Sequence, residues 1–172
     1  VLGMRRDGPL LARYGAAGIP VEDFAFRGLR HPDAATMVPR HVRWLRAHAI
    51  DVLHCHDKYS NMYGALIGRL AGVPLLVASR RFENHGAWRF EAGNRVAYHL
   101  AHRALANSEG VGRLLAREGI PERKIVVVRN FLDDAAFAPA DDDARRAFRR
   151  ELGIDDGAIV VGCVARLAPV KD

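Results

Sequence analysis

The sequence predicts an α/β fold built on a doubly wound, Rossmann-like parallel sheet, followed by the start of a second Rossmann-like domain. Three observations lead to this prediction. Short runs rich in β-branched residues alternate with helical stretches along the 172 residues. Most of these runs are almost continuously apolar, as is typical of strands covered on both faces. The pattern changes after Arg129, where a segment rich in Asp, Ala and Pro precedes a charged helix and one more apolar run.

The strands are predicted where apolar, mostly β-branched residues follow one another. They lie near residues 1–4, 21–26, 51–55, 75–79, 104–107, 125–129 and 159–165. Because helical stretches separate them, right-handed crossovers are expected to join them as parallel pairs. The chain begins inside an apolar segment without an initiator Met, so the first strand is expected to be cut at its N-terminal side, and a signal peptide is left open.

The helix predicted over residues 33–49 is amphipathic. Its core-facing stripe recurs at helical spacing through Val38, Val42, Leu45 and Ala49. Its opposite face carries three cations, Arg40, Arg43 and Arg46. One face of the helix is therefore expected to bury itself and the other to meet water.

The next two helices are predicted from small and capping residues. In the helix over residues 61–71, Gly64 and Gly68 are expected to allow close approach to a neighbour, and Gly72 ends it with a left-handed cap. Ser108 is expected to cap the helix that follows it. The predicted domain boundary lies after residue 130. Residues 1–130 form the first predicted domain, and residues 131–172 form a hinge and the incomplete start of the second.

Composition limits the classes of function. The chain is 49% hydrophobic and 27% charged, which fits a globular protein, and its net charge is +6. The cations are scattered and not interleaved with aromatic residues, so no nucleic-acid partner is predicted. An anionic membrane surface remains open as a peripheral partner, whereas no apolar run reaches the roughly 18 residues of a bilayer span.

The two cysteines indicate no metal or redox motif. Cys55 and Cys163 lie far apart, each in an apolar run. We expect both to be buried free thiols, which suits a reducing cytoplasm.

Polar residues at the end of the strand near 51–55 are candidates for a site. His54 and His56 share one face of the strand, but two imidazoles supply at most half a zinc set, so no metal is predicted. His56 and Asp57 are expected at the carboxyl edge of the sheet, where open α/β folds bind ligands. His54 is expected to be buried and hydrogen-bonded.

The segment after the strand near 75–79 clusters cations. Arg80 and Arg81 could bind phosphate or carboxylate through the guanidinium fork, or belong to an ordinary solvated loop. Residues 86–93, with a Gly at each end and Trp88 and Phe90 between, are expected to form a mobile segment suited to an acceptor pocket or lid.

The last apolar run leads directly into Arg166 and Lys171. At the carboxyl edge of a sheet these side chains would face an anion, and the alternative is that both are solvated loop residues. Several common motifs are missing from the sequence. It contains no G-x-G-x-x-G turn, no P-loop and no G-x-S-x-G elbow, which disfavours dinucleotide oxidoreductases, P-loop enzymes and α/β serine hydrolases.

Four segments, in order, resemble the family four glycosyltransferases. Residues 51–57 (DVLHCHD) are similar to the DVVHxH strand of that family, and residues 106–109 (ANSE) to its ANSE helix start. Residues 124–130 (KIVVVRN) resemble its KIxVIxNGVD strand and hinge, and residues 165–171 (ARLAPVK) its GRLxxxKG loop. The resemblance covers nearly the whole chain. It implies the GT-B fold, in which two Rossmann-like domains face each other across a cleft.

By this resemblance, the chain is the N-terminal, acceptor-side domain without its first strand and Gly-rich loop, plus the opening of the donor-side domain. Arg166 and Lys171 would bind the donor diphosphate. The family's catalytic carboxylate pair would lie beyond Asp172, so no catalytic residue is assigned. The expected acceptor or cleft residues are His56, Asp57, Arg80, Arg81, His85, Asn107 and Ser108.

The sequence departs from the family pattern at several positions. Ala165 and Phe131 replace glycines of the loop and the hinge, and Asp172 stands where Gly is usual. Arg81 occupies the place of a His found in many members, so that a catalytic His cannot be transferred to it. His85 lies nearby as a substitute.

The resemblance implies transfer of a hexosyl group from a nucleotide-sugar, with retention, to a sugar or lipid-linked acceptor in cell-envelope polysaccharide synthesis. The nucleotide-sugar would be a co-substrate, with no cofactor, and the enzyme would work in the cytoplasm or at the inner face of the membrane. The chain by itself is expected to be inactive. Two alternatives remain, a nucleotide-sugar epimerase and a non-catalytic, Rossmann-like anion-binding domain.

Overall fold

The structure is a computed structural model that describes residues 2–3, 8, 10–25, 31–81, 88–139, 141–155 and 157–162. Its contacts divide the chain into two compact units, Val1–Asn130 and Phe131–Asp172. The acceptor-side and donor-side roles of these two parts stay predictions.

The first unit contains two parallel sheets. Its strands are β1 (Leu2–Gly3), β2 (Glu22–Asp23), β3 (Val52–Cys55), β4 (Leu75–Arg80), β5 (Arg103–Ala106) and β6 (Ile125–Val127). Strands β1 and β2 pair with each other, and the other four form one sheet in the order β3-β4-β5-β6. Every described ladder is parallel, which confirms the predicted parallel α/β fold.

A helix lies between each pair of consecutive strands. They are α1 (Leu11–Ala16), α2 (Ala34–Ala47), α3 (Lys58–Ala71), α4 (Trp88–Leu100) and α5 (Glu109–Arg117), with α6 (Asp142–Glu151) in the second unit. Short 3-10 turns lie at Glu122–Lys124 and Asp134–Phe137. The predicted ends of α3 and α5 are confirmed, since Gly72 has a left-handed φ of 78° and the Ser108 side chain accepts a hydrogen bond from Val111 N.

Helix α3 packs directly on the sheet because two of its residues lack side chains. A Cβ at Gly64 would overlap with Cys55 Sγ, and a Cβ at Gly68 would overlap with a terminal carbon of Leu76. Close packing of this kind is what the two glycines predict, and that prediction is confirmed. The contact buries Cys55 and Leu76 in the core.

The helices that contact the four-stranded sheet lie on one of its faces. In register, Cys55 pairs with Ala78, and Ala106 pairs with both Arg80 and Val127, so these side chains share a face. Helix α3 covers this face at Cys55, and α5 covers it at Ala106 and Val127. When parallel strands are adjacent in sequential order, right-handed crossovers place every connecting helix on the same face of the sheet. The four-stranded sheet therefore has one layer of helices.

On the four-stranded sheet, the described helices therefore cover one face. A second layer requires the strand order to reverse, and no ladder in the described part of the chain shows a reversal. The opposite face of the sheet is correspondingly open. Val52 on β3 is 54% exposed, and Val126 on β6 is 39% exposed.

Helix α2 follows the predicted pattern with one difference. Val42 and Leu45 are buried, but the helix ends at Ala47, and Ala49 is exposed with a positive φ of 46°. Its third predicted surface cation, Arg46, donates hydrogen bonds to the carbonyl oxygens of Leu70 and Ala71 at the end of α3.

The mobile segment predicted over residues 86–93 is wrong for its later part, because residues 88–93 begin α4. Gly93 serves packing there, since a Cβ at this position would meet the Met62 sulfur of α3. The earlier residues of that segment lie outside the described ones. Helices α1 and α4 were predicted only as helical stretches between strands, without bounds, because neither carries a clear capping residue or a continuous apolar stripe.

In the second unit, the predicted charged helix is confirmed as α6. The Asp141 side chain accepts from Ala144 N at its start, and the Arg149 guanidinium donates to the carbonyl oxygens of Asp155 and Ala158 after its end. The last predicted strand is not formed over residues 159–162. A strand needs a neighbouring strand to satisfy its backbone, and the described part of this unit offers none. Residues 163–165 lie outside the described ones.

Candidate functional site at the carboxyl edge of the sheet

The parallel ladders bring three candidate segments to one edge of the sheet. His56 and Asp57 follow β3, Arg81 follows β4, and Asn107 follows β5. The Asn107 side chain donates to the Arg81 carbonyl oxygen at 3.3 Å, which joins the ends of β4 and β5. A cavity of about 180 Å³ at this edge is lined by His56, Asp57, Lys58, Tyr59, Ser79, Arg80, Arg81 and Tyr98.

Asp57 begins helix α3. Its Oδ1 accepts from Tyr59 N and Ser60 N, both at 2.9 Å, while the Ser60 hydroxyl accepts from Asp57 N at 3.0 Å. This reciprocal capping box fixes the turn between β3 and α3. Asp57 therefore lines the cavity, but its Oδ1 is already used to hold the turn.

Arg80 is not the exposed loop cation that the sequence suggests. Strand β4 continues to Arg80, which places its side chain on the helix-covered face, where it is 3% exposed. Its guanidinium pairs with Glu118 at 2.5 Å and with Glu91 at 3.9 Å, and Glu91 also pairs with Lys58 at 2.6 Å. Arg80 therefore braces α3, α4 and α5 against the end of β4.

Arg81 is the cation that this edge presents to solvent. It follows β4 directly and is exposed. Ser108 is occupied as the N-cap of α5, with its hydroxyl 3.2 Å from Val111 N. His85, Arg166 and Lys171 lie outside the described residues, so their placement stays a prediction.

His54 differs from its expected buried state. The residue is exposed on the open face of the sheet, but its ring is held, because Nε2 lies 2.7 Å from Ser79 Oγ. The ring also lies against the His56 ring, with the centroids 3.9 Å apart and the planes tilted by 39°. Partial burial, and secondarily the neighbouring His56, lower the pKa of His54. No group of three metal-ligating side chains occurs among the described residues.

A second histidine with a lowered pKa lies in the core. His41 is 2% exposed, stacks on Phe24 at 4.1 Å and shares a short hydrogen bond with the Tyr63 hydroxyl. Burial is the main cause that lowers the pKa of His41, and the charge of Arg40 adds to it, whereas Asp23 opposes it.

Acid is expected to destabilise the first unit through these two histidines. Their pKa values in the folded chain lie below the ordinary value of 6.5, so the unfolded chain binds more protons. This contribution to stability is complete above about pH 6.5 and is lost as the pH falls below it. Melting temperatures between pH 8 and pH 5 should therefore decrease, and less steeply for His41→Gln. A melting temperature that rises toward pH 5 would contradict this assignment.

A larger cavity of about 590 Å³ lies between the two sheets of the first unit. Leu2, Glu22 and Phe24 line it from the side of β1 and β2, and Val52 and His54 line it from β3. Sequence patterns could not reveal it, because it depends on the separation between the sheets. None of the described helices is long and apolar enough to cross a bilayer.

Two curated proteins are similar in sequence to this chain. The alpha-maltose-1-phosphate synthase of Mycolicibacterium smegmatis is 26% identical over 99% of the chain and 45% of its own length. The D-inositol 3-phosphate glycosyltransferase of Salinispora arenicola is 29% identical over 70% of the chain and 30% of its own length. The chain therefore spans less than half the length of these curated relatives.

Solved structures show the same fold. The crystal structure of Anabaena Alr3699/HepE in complex with UDP superposes with a TM-score of 0.66 at 21% identity, over 86% of this chain and 40% of that one. A glycosyltransferase from Rickettsia africae superposes with a TM-score of 0.67 at 14% identity, over 88% of this chain and 41% of that one. The sequence profile described as "Glycosyl transferase 4-like domain" matches residues 1–130. The chain therefore belongs to the glycosyl transferase 4-like domain family.

Proposed function

We propose that this chain is the acceptor-side part of a glycosyltransferase that moves a hexosyl group from a nucleotide-sugar to an acceptor with retention. The observation that carries the proposal is the family match over the whole first unit. The names of both curated relatives, a synthase of a sugar phosphate and a glycosyltransferase, support it. So does the Anabaena structure of the same fold, which was solved with UDP and with UDP-glucose.

The proposed division of labour follows the two units. The first unit offers His56 and Arg81 at its carboxyl edge to the acceptor, while Arg166 and Lys171 would neutralise the donor diphosphate as charge grows on the leaving group. The catalytic carboxylates are assigned to sequence beyond Asp172. The nucleotide-sugar is proposed as a co-substrate, without a separate cofactor.

We also propose that the cavity of about 590 Å³ between the two-stranded and the four-stranded sheet is the place of the first strand that the resemblance implies. A parallel strand seated between the sheets would join them into one layer. It would also supply the reversal of strand order that a doubly wound sheet requires.

The proposed acceptor is a sugar or a lipid-linked sugar that carries a phosphate. Both curated relatives have a phosphate of a sugar or cyclitol in their names. At the carboxyl edge of this chain, the exposed Arg81 guanidinium matches a phosphate in fork geometry, and the exposed His56 imidazole can bind a hydroxyl. These two side chains therefore suit the two chemical groups of such an acceptor.

The donor assignment is tested on the full-length protein with a panel of nucleotide-sugars. Arg166→Ala and Lys171→Ala are each expected to lower kcat/KM by about tenfold to a hundredfold, because each removes a cation from the developing charge. The matched control is Arg145→Ala, a surface cation of α6 paired with Asp142, which should change little. Unchanged kcat/KM in both variants would contradict the donor roles. Interconversion of the nucleotide-sugar without transfer would indicate an epimerase.

A cytoplasmic location at the inner face of an anionic membrane is also part of the proposal. Arg40 and Arg43 of α2 support it, because both are exposed, whereas Arg46 is engaged at the end of α3. The chain is expected to sediment with vesicles of anionic lipid at low salt, and less so after Arg40→Glu and Arg43→Glu. Equal sedimentation of the variant would contradict this.

A further inference from the structure

A chain of polar contacts leads from the core of the first unit to the carboxyl edge of β3. Asn61 Nδ2 lies 3.3 Å from the Tyr98 hydroxyl and donates to the Ser79 carbonyl oxygen at 2.9 Å, while Asn61 Oδ1 accepts from Ser79 N at 3.2 Å. The Ser79 hydroxyl then lies 2.7 Å from His54 Nε2, and the His54 ring contacts the His56 ring in a tilted arrangement. Each member of this chain is held by the one before it.

The buried end of this series of polar contacts is held by several hydrogen bonds. Asn61 is 0% exposed, and its amide bonds both backbone polar groups of Ser79. Burial raises the pKa of Tyr98 to about 12, so its hydroxyl stays neutral beside Asn61. Ser79, itself 4% exposed, is thereby a fixed point for the imidazole that bonds to its hydroxyl.

His54 connects the buried Ser79 to the exposed His56 ring. One ring nitrogen is tied to Ser79, which restricts rotation of the imidazole, and its face supports the His56 ring at a centroid separation of 3.9 Å with 39° between the planes. Burial, and secondarily the neighbouring His56, lower the pKa of His54. Nothing in this role requires His54 to touch a substrate.

His56 is the solvent-exposed end of this series of contacts. Its backbone N–H donates to the Ser60 hydroxyl at 3.2 Å, so the capping turn fixes its main chain. Its ring is exposed and lines the cavity at the carboxyl edge, beside Arg81. Within the described part of the chain, its ring nitrogens make no hydrogen bond. An oriented imidazole with unused donor and acceptor groups is suited to a hydroxyl ligand.

We propose that His54 is a positioning residue, which holds the His56 ring from Ser79 so that His56 can bind an acceptor hydroxyl at this edge. The proposal deepens the proposed function and rests on it for the identity of the ligand. The orientation of His56 by His54 can be tested separately from the ligand.

The orientation is tested by NMR on the 172-residue chain. The wild type should show cross-relaxation between the His54 and His56 ring protons and an upfield shift of the His56 ring protons. His54→Phe, which keeps the ring contact, should preserve the upfield shift, and His54→Ala should abolish it. Ser79→Ala should weaken the cross-relaxation by releasing the His54 ring. Unchanged His56 ring signals in His54→Ala would overturn the proposal.

A matched control separates this effect from general loosening of the fold. His48 also contacts an aromatic ring with centroids 3.9 Å apart, namely Trp44, and its Nδ1 lies 2.9 Å from the Trp44 carbonyl oxygen. It lies after the end of α2, and His48→Ala should leave the His56 ring signals unchanged. A loss of the His56 shift in this control as large as in His54→Ala would overturn the specific role of His54.

The ligand is tested by calorimetric titration with D-inositol 3-phosphate, with unphosphorylated inositol as the reference. His54→Ala is expected to weaken binding about fivefold, as loss of one aromatic contact allows, and His56→Ala at least as much, whereas His54→Phe stays within about twofold of the wild type. If the NMR result holds but the wild type binds neither compound, the proposed acceptor class is wrong and the orientation of His56 stands. If the compound binds and His56→Ala has no effect, the role of His56 is overturned.

Discussion

Arg80→Met is expected to lower the free energy of unfolding of the first unit by about 3–5 kcal/mol, the usual cost of breaking a buried ion pair. The Arg80 side chain is 3% exposed, and the Glu118 and Glu91 side chains that it faces are 16% and 19% exposed. The substitution preserves much of the apolar volume, but Glu118 loses its ion pair at 2.5 Å, while Glu91 keeps its pair with Lys58. Urea or thermal unfolding followed by circular dichroism measures the loss.

Two companion variants separate the ion pair from other causes. Arg81→Met changes the neighbouring, exposed cation and should alter stability by less than about 0.5 kcal/mol. Arg80→Met combined with Glu118→Gln should recover part of the loss, because one uncompensated carboxylate is removed. If Arg80→Met is no more destabilising than Arg81→Met, the bracing role of Arg80 is wrong.

Asn61→Leu is expected to cost about 2–4 kcal/mol, because it leaves two buried backbone groups of Ser79 without partners. Strand β3 ends at Cys55, which pairs with Ala78, so β4 continues two residues, Ser79 and Arg80, beyond that ladder. The Asn61 amide bonds Ser79 N and the Ser79 carbonyl oxygen at that point, and thus takes the place of the missing strand.

Conservative and remote substitutions at other amides give this prediction its controls. Asn61→Asp keeps the acceptor for Ser79 N but loses the donor to the carbonyl oxygen, so an intermediate loss of stability is expected. Asn130→Leu, at an exposed amide, should be close to neutral. Equal stability of Asn61→Leu and the wild type in chemical denaturation would show that the Asn61 amide does not replace the ladder.

The sequence was sufficient to predict those elements whose signals are local. Gly64 and Gly68 predict the close approach of α3, Ser108 predicts the start of α5, and the apolar runs predict strands β3 to β6. These signals depend on the backbone, on capping or on hydrophobic pattern within a few residues. They hold because tertiary packing agrees with them.

The side-chain roles at the site could not be predicted in the same way. Arg80 reads as a loop cation until the length of β4 is known, since one more residue of strand turns its side chain onto the covered face. The partner of His54 is Ser79, which lies 25 residues away, and its contact with the His56 ring depends on where the strand ends. The last predicted strand is not formed over residues 159–162, because its apolar pattern needs a neighbouring strand and the described part of the second unit offers none.

The sequential strand order also has a consequence for biosynthesis. Since β3, β4 and β5 each pair with the strand that follows next along the chain, every new βα unit emerging from the ribosome can dock on the unit synthesised just before it. Such nearest-neighbour assembly keeps loop closures short and favours rapid folding. A folding defect in the β3–α3 unit would then impair the docking of every later unit, whereas a defect at β6 would leave the docking of the earlier units unchanged.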